Sequence, residues 1–234
     1  MIRLAVFDLD NTLAPLGKGV APEDLRLLRQ LEASGAAVAV CSGKPAYYLC
    51  GFLRQAELAR PILIGENGAV IQFGVDLPPR EYHVSSGSEA AQESIRFLRQ
   101  RIRDLLPGIW FQPNEVCLTP FPRSEAEFDA IEAALTADAD RVRDLRVFRH
   151  NDSFDFVPEG IDKASGLRRL CGLLQIDLSE TAAVGDGVND YPMFACAGLS
   201  LGVRVTEGDR VDKNFASVTE ALRYLLRAAK EQNP

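Results

Sequence analysis

The chain lacks the features that mark several common protein classes. Its 234 residues carry a net charge of −7, so no basic excess exists to neutralise the phosphates of a nucleic acid. No apolar run approaches the roughly 18 residues of a membrane span. Internal repeats and low-complexity segments are also missing. We therefore expect neither a nucleic acid nor a membrane as a partner.

The cysteines exclude a further class of site. They number five, are widely spaced and contain no CxxC pair, so a zinc site is not expected. Reduced thiols in the core of a cytosolic protein explain them better. The apolar run at the N-terminus is interrupted by Asp8 and Asp10, which does not fit a secretory leader. We expect a soluble, cytoplasmic protein, either a monomer or a homodimer.

What the sequence does contain, at both ends, is an alternation of short apolar strands with amphipathic helices. Strands are expected at 2–7, 36–41, 61–64, 182–184 and 199–203, and helices at 22–34, 45–57, 163–174, 190–196 and 219–230. Such alternation predicts parallel βαβ units, and hence an α/β, Rossmann-like core. Residues 69–73, after the turn at 66–68, are expected to form one arm of a hairpin.

The pattern changes in the middle of the chain. Between 79 and 157 we expect strands at 81–85, 109–112, 115–119, 145–149 and 153–157, with helices at 88–106 and 124–137. Closely spaced strands with two helices predict an antiparallel sheet backed by those helices. The predicted organisation is therefore a core of residues 1–78 and 158–234, interrupted by an α+β cap domain at 79–157.

Polar residues recur where strands of the predicted core end. In open α/β sheets, ligands bind beyond the carboxyl ends of the strands. The residues at these points are Asp8 and Asp10, Ser42 and Gly43, Lys163 at a helix start, and Asp186, Asn189 and Asp190. Mg²⁺ prefers carboxylate oxygens and substrate phosphates, so paired acidic residues favour a magnesium site. An Asp left free of the metal could attack phosphorus as a nucleophile.

Each of these residues also has an ordinary structural interpretation. Asp10 and Asp186 could cap helices, Ser42 could be a plain N-cap, and Lys163 could be a solvated lysine. The structural interpretation explains each residue alone, but it does not explain why four such groups fall at the same edge of the predicted sheet. The metal and phosphate interpretation explains all four together.

The chain resembles the haloacid dehalogenase-like superfamily, whose members are mostly Mg²⁺-dependent phosphatases. The four motifs of that superfamily are present in order: Asp8-Leu9-Asp10-Asn11-Thr12, then Ser42-Gly43, then Lys163, and then Gly185-Asp186-Gly187-Val188-Asn189-Asp190. The insertion lies between the second and third motifs, which is similar to the Cof-type, sugar-phosphate phosphatase-like branch. Asn11 and Lys44 depart from the residues usual in that branch, without removing a catalytic group.

The resemblance implies a role for each residue. Asp8 would be the nucleophile and a Mg²⁺ ligand, and Asp10 the acid and base, with its backbone carbonyl on the metal. Asp186 would complete the metal site, with Asp190 in support. Ser42, Gly43, Lys163 and Asn189 would bind the substrate, and Lys163 would also take part in catalysis.

The implied activity is a phosphomonoesterase acting on a small phosphorylated metabolite, such as a sugar phosphate or a phosphoglycolate-like ester. A phosphomutase with the same aspartyl-phosphate, or a regulator that binds a phosphometabolite without turnover, remains open. The identity of the substrate is expected to depend on the cap.

Overall fold

The computed structural model describes residues 1–206 and 210–231. The chain divides into two compact units: a core unit of Met1–His83 with Asp162–Pro234, and a cap unit of Val84–Ile161. The predicted cap, 79–157, and the cap unit share residues 84–157. The predicted core also contains residues 207–209 and 232–234, which lie outside the described part of the chain.

Twelve strands and seven α-helices are found in the described residues. The strands are β1 Leu4–Asp8, β2 Ala37–Cys41, β3 Ile62–Gly65, β4 Val70–Phe73, β5 Glu81–Val84, β6 Trp110–Gln112, β7 Thr119–Phe121, β8 Leu145–Arg149, β9 Phe154–Pro158, β10 Thr181–Gly185, β11 Leu199–Val203 and β12 Lys213–Phe215. The helices are α1 Pro22–Ala33, α2 Ala46–Leu53, α3 Glu89–Leu105, α4 Glu125–Ala137, α5 Lys163–Leu174, α6 Tyr191–Phe194 and α7 Val218–Glu231. None of these helices combines the length and apolar composition needed to cross a membrane.

The core unit is built on one sheet of mainly parallel strands. Its order is β12-β11-β10-β1-β2-β3-β4-β5, and β1 lies between β10 and β2, parallel to both. The strand β4 pairs antiparallel with β3, as the hairpin prediction requires. The α/β prediction is thus confirmed, and the strands β1, β2 and β10 all direct their carboxyl ends to one edge of the sheet.

Helices cover both faces of this sheet because the strands are apolar on both sides. In β1, Ala5 and Phe7 pack into one apolar cluster, while Leu4 and Val6 pack into another on the opposite face. Helices α1 and α7 contribute to the first cluster, and α5 contributes to the second. Strands buried on both faces are typical of parallel sheets in doubly wound folds.

The cap unit contains two short antiparallel pairs, β6 with β7 and β8 with β9. A single bridge between Leu118 and Phe156 joins the pairs. Helices α3 and α4 pack on one face through an apolar cluster that includes Ile102, Ile131 and Phe156. An antiparallel sheet backed by two helices is therefore confirmed, as two pairs joined by a bridge rather than one continuous ladder.

Several element boundaries differ from the sequence prediction. The strand expected at 115–119 is wrong, because these residues mainly form a bend in which Asn114 Nδ2 bonds to Thr119 Oγ1 at 2.9 Å. The strand expected in the cap at 81–85 is instead β5, at the end of the core sheet. The strand β12 was not predicted, since the sequence Lys-Asn-Phe carries little apolar signal.

Candidate active site

A buried group of charges lies at the carboxyl end of β1. The ammonium of Lys163 is 2.5 Å from Asp8 Oδ1 and 2.6 Å from Asp190 Oδ1. The side chain of Lys163 is 1% exposed and that of Asp190 is 0% exposed, so neither charge is solvated by water. Burying a lysine in this way is tolerable only because two carboxylates surround it. The structure thus brings together three residues that are 155 and 27 positions apart in the sequence.

The position of Lys163 is fixed by the start of α5. Asp162 caps this helix, accepting a hydrogen bond from Ser165 N at 2.7 Å, while Asp162 N donates to Ser165 Oγ. Two glycines allow the helix to approach the turn Glu66–Gly68. A Cβ on Gly68 would lie 2.2 Å from Asp162 O, and one on Gly166 would lie 2.8 Å from Gly68 Cα. Because both positions lack a side chain, the first turn of α5 can place Lys163 beside β1.

The turn after β10 holds Asp186 and Asp190. Asp190 Oδ2 accepts hydrogen bonds from the backbone N–H groups of Asp186 at 3.0 Å and Gly187 at 3.1 Å. A Cβ on Gly185 would lie 2.4 Å from Asp190 Oδ2, so glycine is required there for the carboxylate to fold back on the turn. Asp190 therefore uses one oxygen to hold the turn and the other to hold Lys163.

Asp186 is half-buried and has a different partner. Its Oδ1 accepts a hydrogen bond from Thr12 Oγ1 at 2.8 Å, which connects the turn after β10 with the turn after β1. The side chain of Asn189, in contrast, lies exposed in the same turn as Asp186. The structure thus places Asp186 in the acidic group and Asn189 at its exposed rim.

The turn after β2 carries Ser42 and Gly43. Ser42 is buried, and its Oγ accepts a hydrogen bond from Lys44 N at 3.2 Å. A Cβ on Gly43 would lie 3.3 Å from the side-chain amide of Asn67. Asn67 has a φ of 56°, and its N–H donates to Ser42 O. The turn Glu66–Gly68 therefore packs against this turn as well as against α5.

Asp10 stands apart from the buried charges. Its side chain is 26% exposed, and the ammonium of Lys44 lies 3.9 Å from its Oδ2. The residue follows β1 in a turn closed by a hydrogen bond from Asn11 N to Ala14 O at 2.6 Å. The carboxyl group of Asp10 is thus open to solvent, whereas Asp8 is almost completely buried.

Burial dominates the electrostatics of the group. It raises the pKa of Asp8 to about 7, against the opposing effect of Lys163 and together with the negative charge of Asp190. Burial also raises the pKa of Asp186. For Lys163, burial disfavours the charge, but Asp190 and Asp8 outweigh it and the pKa is raised. The lysine is therefore a permanent cation, while Asp8 needs additional positive charge to remain ionised at neutral pH.

The same residues meet the requirements of a divalent cation. Oxygen atoms of Asp8, Asp186 and Asp190 lie within 4.8 Å of one another. Carboxylate oxygens are the ligands that Mg²⁺ prefers, and the three carboxylates carry more negative charge than Lys163 neutralises. Because both oxygens of Asp190 are already hydrogen-bonded, Asp8 and Asp186 are the better ligands within this group. The donor set fits Mg²⁺.

Two residues of the site were given no role from the sequence. Thr12 belongs to the first motif, and Lys44 was noted only as a departure from the usual pattern. Their contacts, with Asp186 and with Asp10 respectively, depend on the folding of separate turns toward one another. The only available signal was their proximity in sequence to motif residues.

Comparison with known proteins identifies the family of the chain. A model of the family described as haloacid dehalogenase-like hydrolase matches residues 5–106 and 111–219. A phosphoglycolate phosphatase of Methanopyrus kandleri is 28% identical over 204 residues, which cover 86% of this chain and 84% of that protein. An HMP-PP phosphatase of Yersinia pseudotuberculosis is 25% identical over 228 residues, covering 86% of this chain and 83% of that protein.

Solved structures resemble the whole chain. The crystal structure of a haloacid dehalogenase-like hydrolase from Bacteroides thetaiotaomicron superimposes with a TM-score of 0.78 at 19% identity, covering 96% of this chain and 100% of that one. A Thermoplasma acidophilum structure gives a TM-score of 0.75 at 18% identity, covering 98% and 99%. At such identities the likeness establishes the fold.

Proposed function

The chain belongs to the haloacid dehalogenase-like hydrolases, in the Cof-type branch, and from that premise we propose that it is a Mg²⁺-dependent phosphatase of a small phosphorylated metabolite, acting through an aspartyl-phosphate on Asp8. The observation that carries this proposal is the position of Asp8. It ends β1 within 2.5 Å of a buried ammonium and within the acidic group that suits a divalent cation. A carboxylate held in this position is suited to act as a nucleophile.

In the first step, a carboxylate oxygen of Asp8 attacks phosphorus, and the bond from phosphorus to the leaving oxygen breaks. Asp10 donates its proton to that oxygen, so the product leaves as a neutral alcohol. Phosphoryl transfer depends mainly on positioning and on neutralising charge. Lys163 supplies a fixed positive charge beside the attacking carboxylate, and Ser42 and Gly43, in the turn after β2, would contact the phosphoryl oxygens.

In the second step, water attacks the phosphorus of the aspartyl-phosphate. Asp10 takes the proton of this water, the bond between phosphorus and Asp8 breaks, and inorganic phosphate is released. Asp8 and Asp186, together with the backbone carbonyl of Asp10, would hold Mg²⁺, which when bound neutralises the negative charge of the phosphoryl group. Asp190 positions Lys163 and the turn of Asp186.

The relatives bear on the substrate. The relatives that are 28% and 25% identical to this chain are named phosphoglycolate phosphatase and HMP-PP phosphatase. Both names describe enzymes that release phosphate from a small molecule. We assign the choice of substrate to the cap unit and to the rim of the site, where Asn189 lies exposed. A monomer or homodimer in the cytoplasm, without a nucleic acid or membrane partner, stays our prediction.

The test is phosphate release from a panel of phosphate esters by the purified chain, with Mg²⁺ and with EDTA. We expect turnover of several small esters with Mg²⁺ and a loss of at least about 100-fold with EDTA. Isomerisation of a phosphosugar without phosphate release would instead support a mutase. Folded protein that releases no phosphate from any ester would refute the proposal in favour of a binding regulator.

A further inference from the structure

The ammonium of Lys44 has no part in the mechanism above, although it lies beside Asp10. The backbone of Lys44 is held at both ends: its N–H donates to Ser42 Oγ at 3.2 Å, and its carbonyl accepts from Glu66 N at 3.0 Å. The side chain therefore extends from a fixed point. Its Nζ lies 3.9 Å from Asp10 Oδ2 and 6.0 Å from the ring centroid of Tyr48, and the side chain is 29% exposed.

The cationic side chains near the site differ in the hydrogen bonds that they make. Lys163 is surrounded by Asp8 and Asp190 at hydrogen-bond distance. Arg204 donates to the backbone carbonyls of Asn11 at 2.6 Å and Ala216 at 3.3 Å. The 3.9 Å between Lys44 and Asp10 is longer than a hydrogen bond, so this contact does not use the N–H donors of the ammonium. Lys44 can therefore offer those donors to a ligand.

The position of Asp10 shows which part of a ligand would meet Lys44. As the acid of the proposed mechanism, Asp10 must come within about 3 Å of the leaving oxygen. Each covalent bond beyond that oxygen adds about 1.5 Å. A substituent two or three bonds away thus comes within reach of Lys44 Nζ, which is itself close to Asp10. The amine can therefore contact a substituent of the leaving group.

We propose that Lys44 selects phosphate esters whose leaving group carries a second anionic group, a carboxylate or a further phosphate, close to the ester oxygen. This inference rests on the proposed function and names the substrate class for the same site. An ammonium on a flexible stem forms strong, charge-assisted hydrogen bonds with an anion and weaker ones with a neutral hydroxyl. The ring of Tyr48 lies beside the ammonium, with its centroid 6.0 Å from Nζ, and limits the positions that the amine can occupy.

The experiment compares two esters that differ mainly in this group. 2-Phosphoglycolate carries a carboxylate where 2-hydroxyethyl phosphate carries a hydroxymethyl group. We expect the unmodified chain to prefer phosphoglycolate in kcat/KM. Lys44→Gln should lower kcat/KM for phosphoglycolate by about 10- to 100-fold, mainly through KM, and by less than about threefold for the neutral ester. Lys44→Arg should restore most of the preference.

A matched control is available in the same unit. Lys213 in β12 also lies over a tyrosine ring, 5.2 Å from the centroid of Tyr224. Lys213→Gln removes the same charge and the same kind of contact, and should leave the ratio of the two kcat/KM values unchanged. If Lys44 merely held Asp10 in place, Lys44→Gln would reduce turnover of both esters equally, and that result would overturn the inference. A preference for the neutral ester in the unmodified chain would also overturn it.

Failure of the proposed function gives a different result. In that case p-nitrophenyl phosphate, phosphoglycolate and hydroxyethyl phosphate would all release no phosphate. The inference can then be tested by binding. Phosphoglycolate and hydroxyethyl phosphate are titrated calorimetrically, in the presence of Mg²⁺, into Asp8→Asn protein and into protein that carries both Asp8→Asn and Lys44→Gln. Tighter binding of phosphoglycolate that depends on Lys44 supports the anion subsite. Equal affinities in the two proteins refute it.

Discussion

The core unit and the cap unit each contain a polar network, and the two networks are built differently. In the core, Lys163 at the start of α5 forms a buried ionic group with Asp8, at the end of β1, and Asp190, in the turn after β10. In the cap, a chain of hydrogen bonds runs along the sheet from Gln112 through Asn114 and Thr119 to Asp155, with His150 Nε2 3.3 Å from Asp155 Oδ2. Most of the cap network is neutral.

The position of the cap network follows from strand alternation. Phe154 and Phe156 pack on the helices α3 and α4, so Asp155 between them lies on the opposite face of the sheet. Thr119 joins it there, donating to Asp155 Oδ1 at 2.7 Å. The core thus concentrates charged groups in a buried site, whereas the cap presents mostly neutral hydrogen-bonding groups. We expect changes in the core to affect every substrate and changes in the cap to affect substrates unequally.

The largest expected effect is the loss of the nucleophile. Asp8→Asn should reduce phosphate release by about 10⁴-fold or more for every ester, because an amide cannot accept the phosphoryl group as the carboxylate does in the proposed mechanism. Steady-state rates with Mg²⁺ measure this, with circular dichroism to show that the variant is folded. The cap counterpart Thr119→Val should keep turnover of p-nitrophenyl phosphate within about tenfold. Activity retained by Asp8→Asn would remove Asp8 as the nucleophile.

The next effect concerns stability. Lys163→Gln leaves Asp8 and Asp190 buried without their cation, and should lower the free energy of unfolding by about 3–5 kcal/mol. In the cap, Arg149 pairs with Glu125 and Glu132, each at 2.7 Å, but it is 40% exposed. Arg149→Gln should therefore lower the free energy of unfolding far less than Lys163→Gln does. Urea unfolding of the two variants without metal measures the difference, and similar costs would contradict the contrast between the units.

The smallest effect is a dependence of stability on pH in the metal-free protein. Because burial raises the pKa of Asp8 from 3.8 to about 7, the folded state keeps a proton that the unfolded state releases between these values. The stability contributed by protonated Asp8 is thus present at low pH and is lost as the pH rises from about 4 to about 7. In Asp8→Asn protein this part of the dependence should disappear.

Thermal unfolding in EDTA at several pH values tests the expectation. The midpoint for the unmodified chain should fall more steeply between about pH 4 and about pH 7 than that for Asp8→Asn, and Mg²⁺ should raise the midpoint most at the higher pH, where Asp8 is ionised. Asp155→Asn, in the cap, is the control and should leave the contribution of Asp8 in place. Parallel pH profiles for the unmodified chain and Asp8→Asn would rule out the assigned cause.

The sequence was sufficient to predict the parallel core, an inserted α+β unit and the polar residues at the strand ends. These features are local: buried strands read as apolar runs, and a ligand site at their carboxyl ends requires polar residues at the next positions. Asp8, Ser42 and Asp186 could be chosen on this basis. The strand β12 and the position at which β7 begins were not predicted, because strands of three residues are too short to show an apolar pattern.

The contacts between these side chains could not be predicted from the sequence, because they depend on how the elements pack. The short distances from Lys163 to Asp8 and Asp190 depend on two glycines, Gly68 and Gly166, that let α5 approach the turn Glu66–Gly68. The pairing of Lys44 with Asp10 likewise depends on the adjacency of β1 and β2. A contact between residues that are distant in sequence is set by the packing of whole elements. A motif, in contrast, gives the chemical type of each residue but not its neighbours in the folded protein.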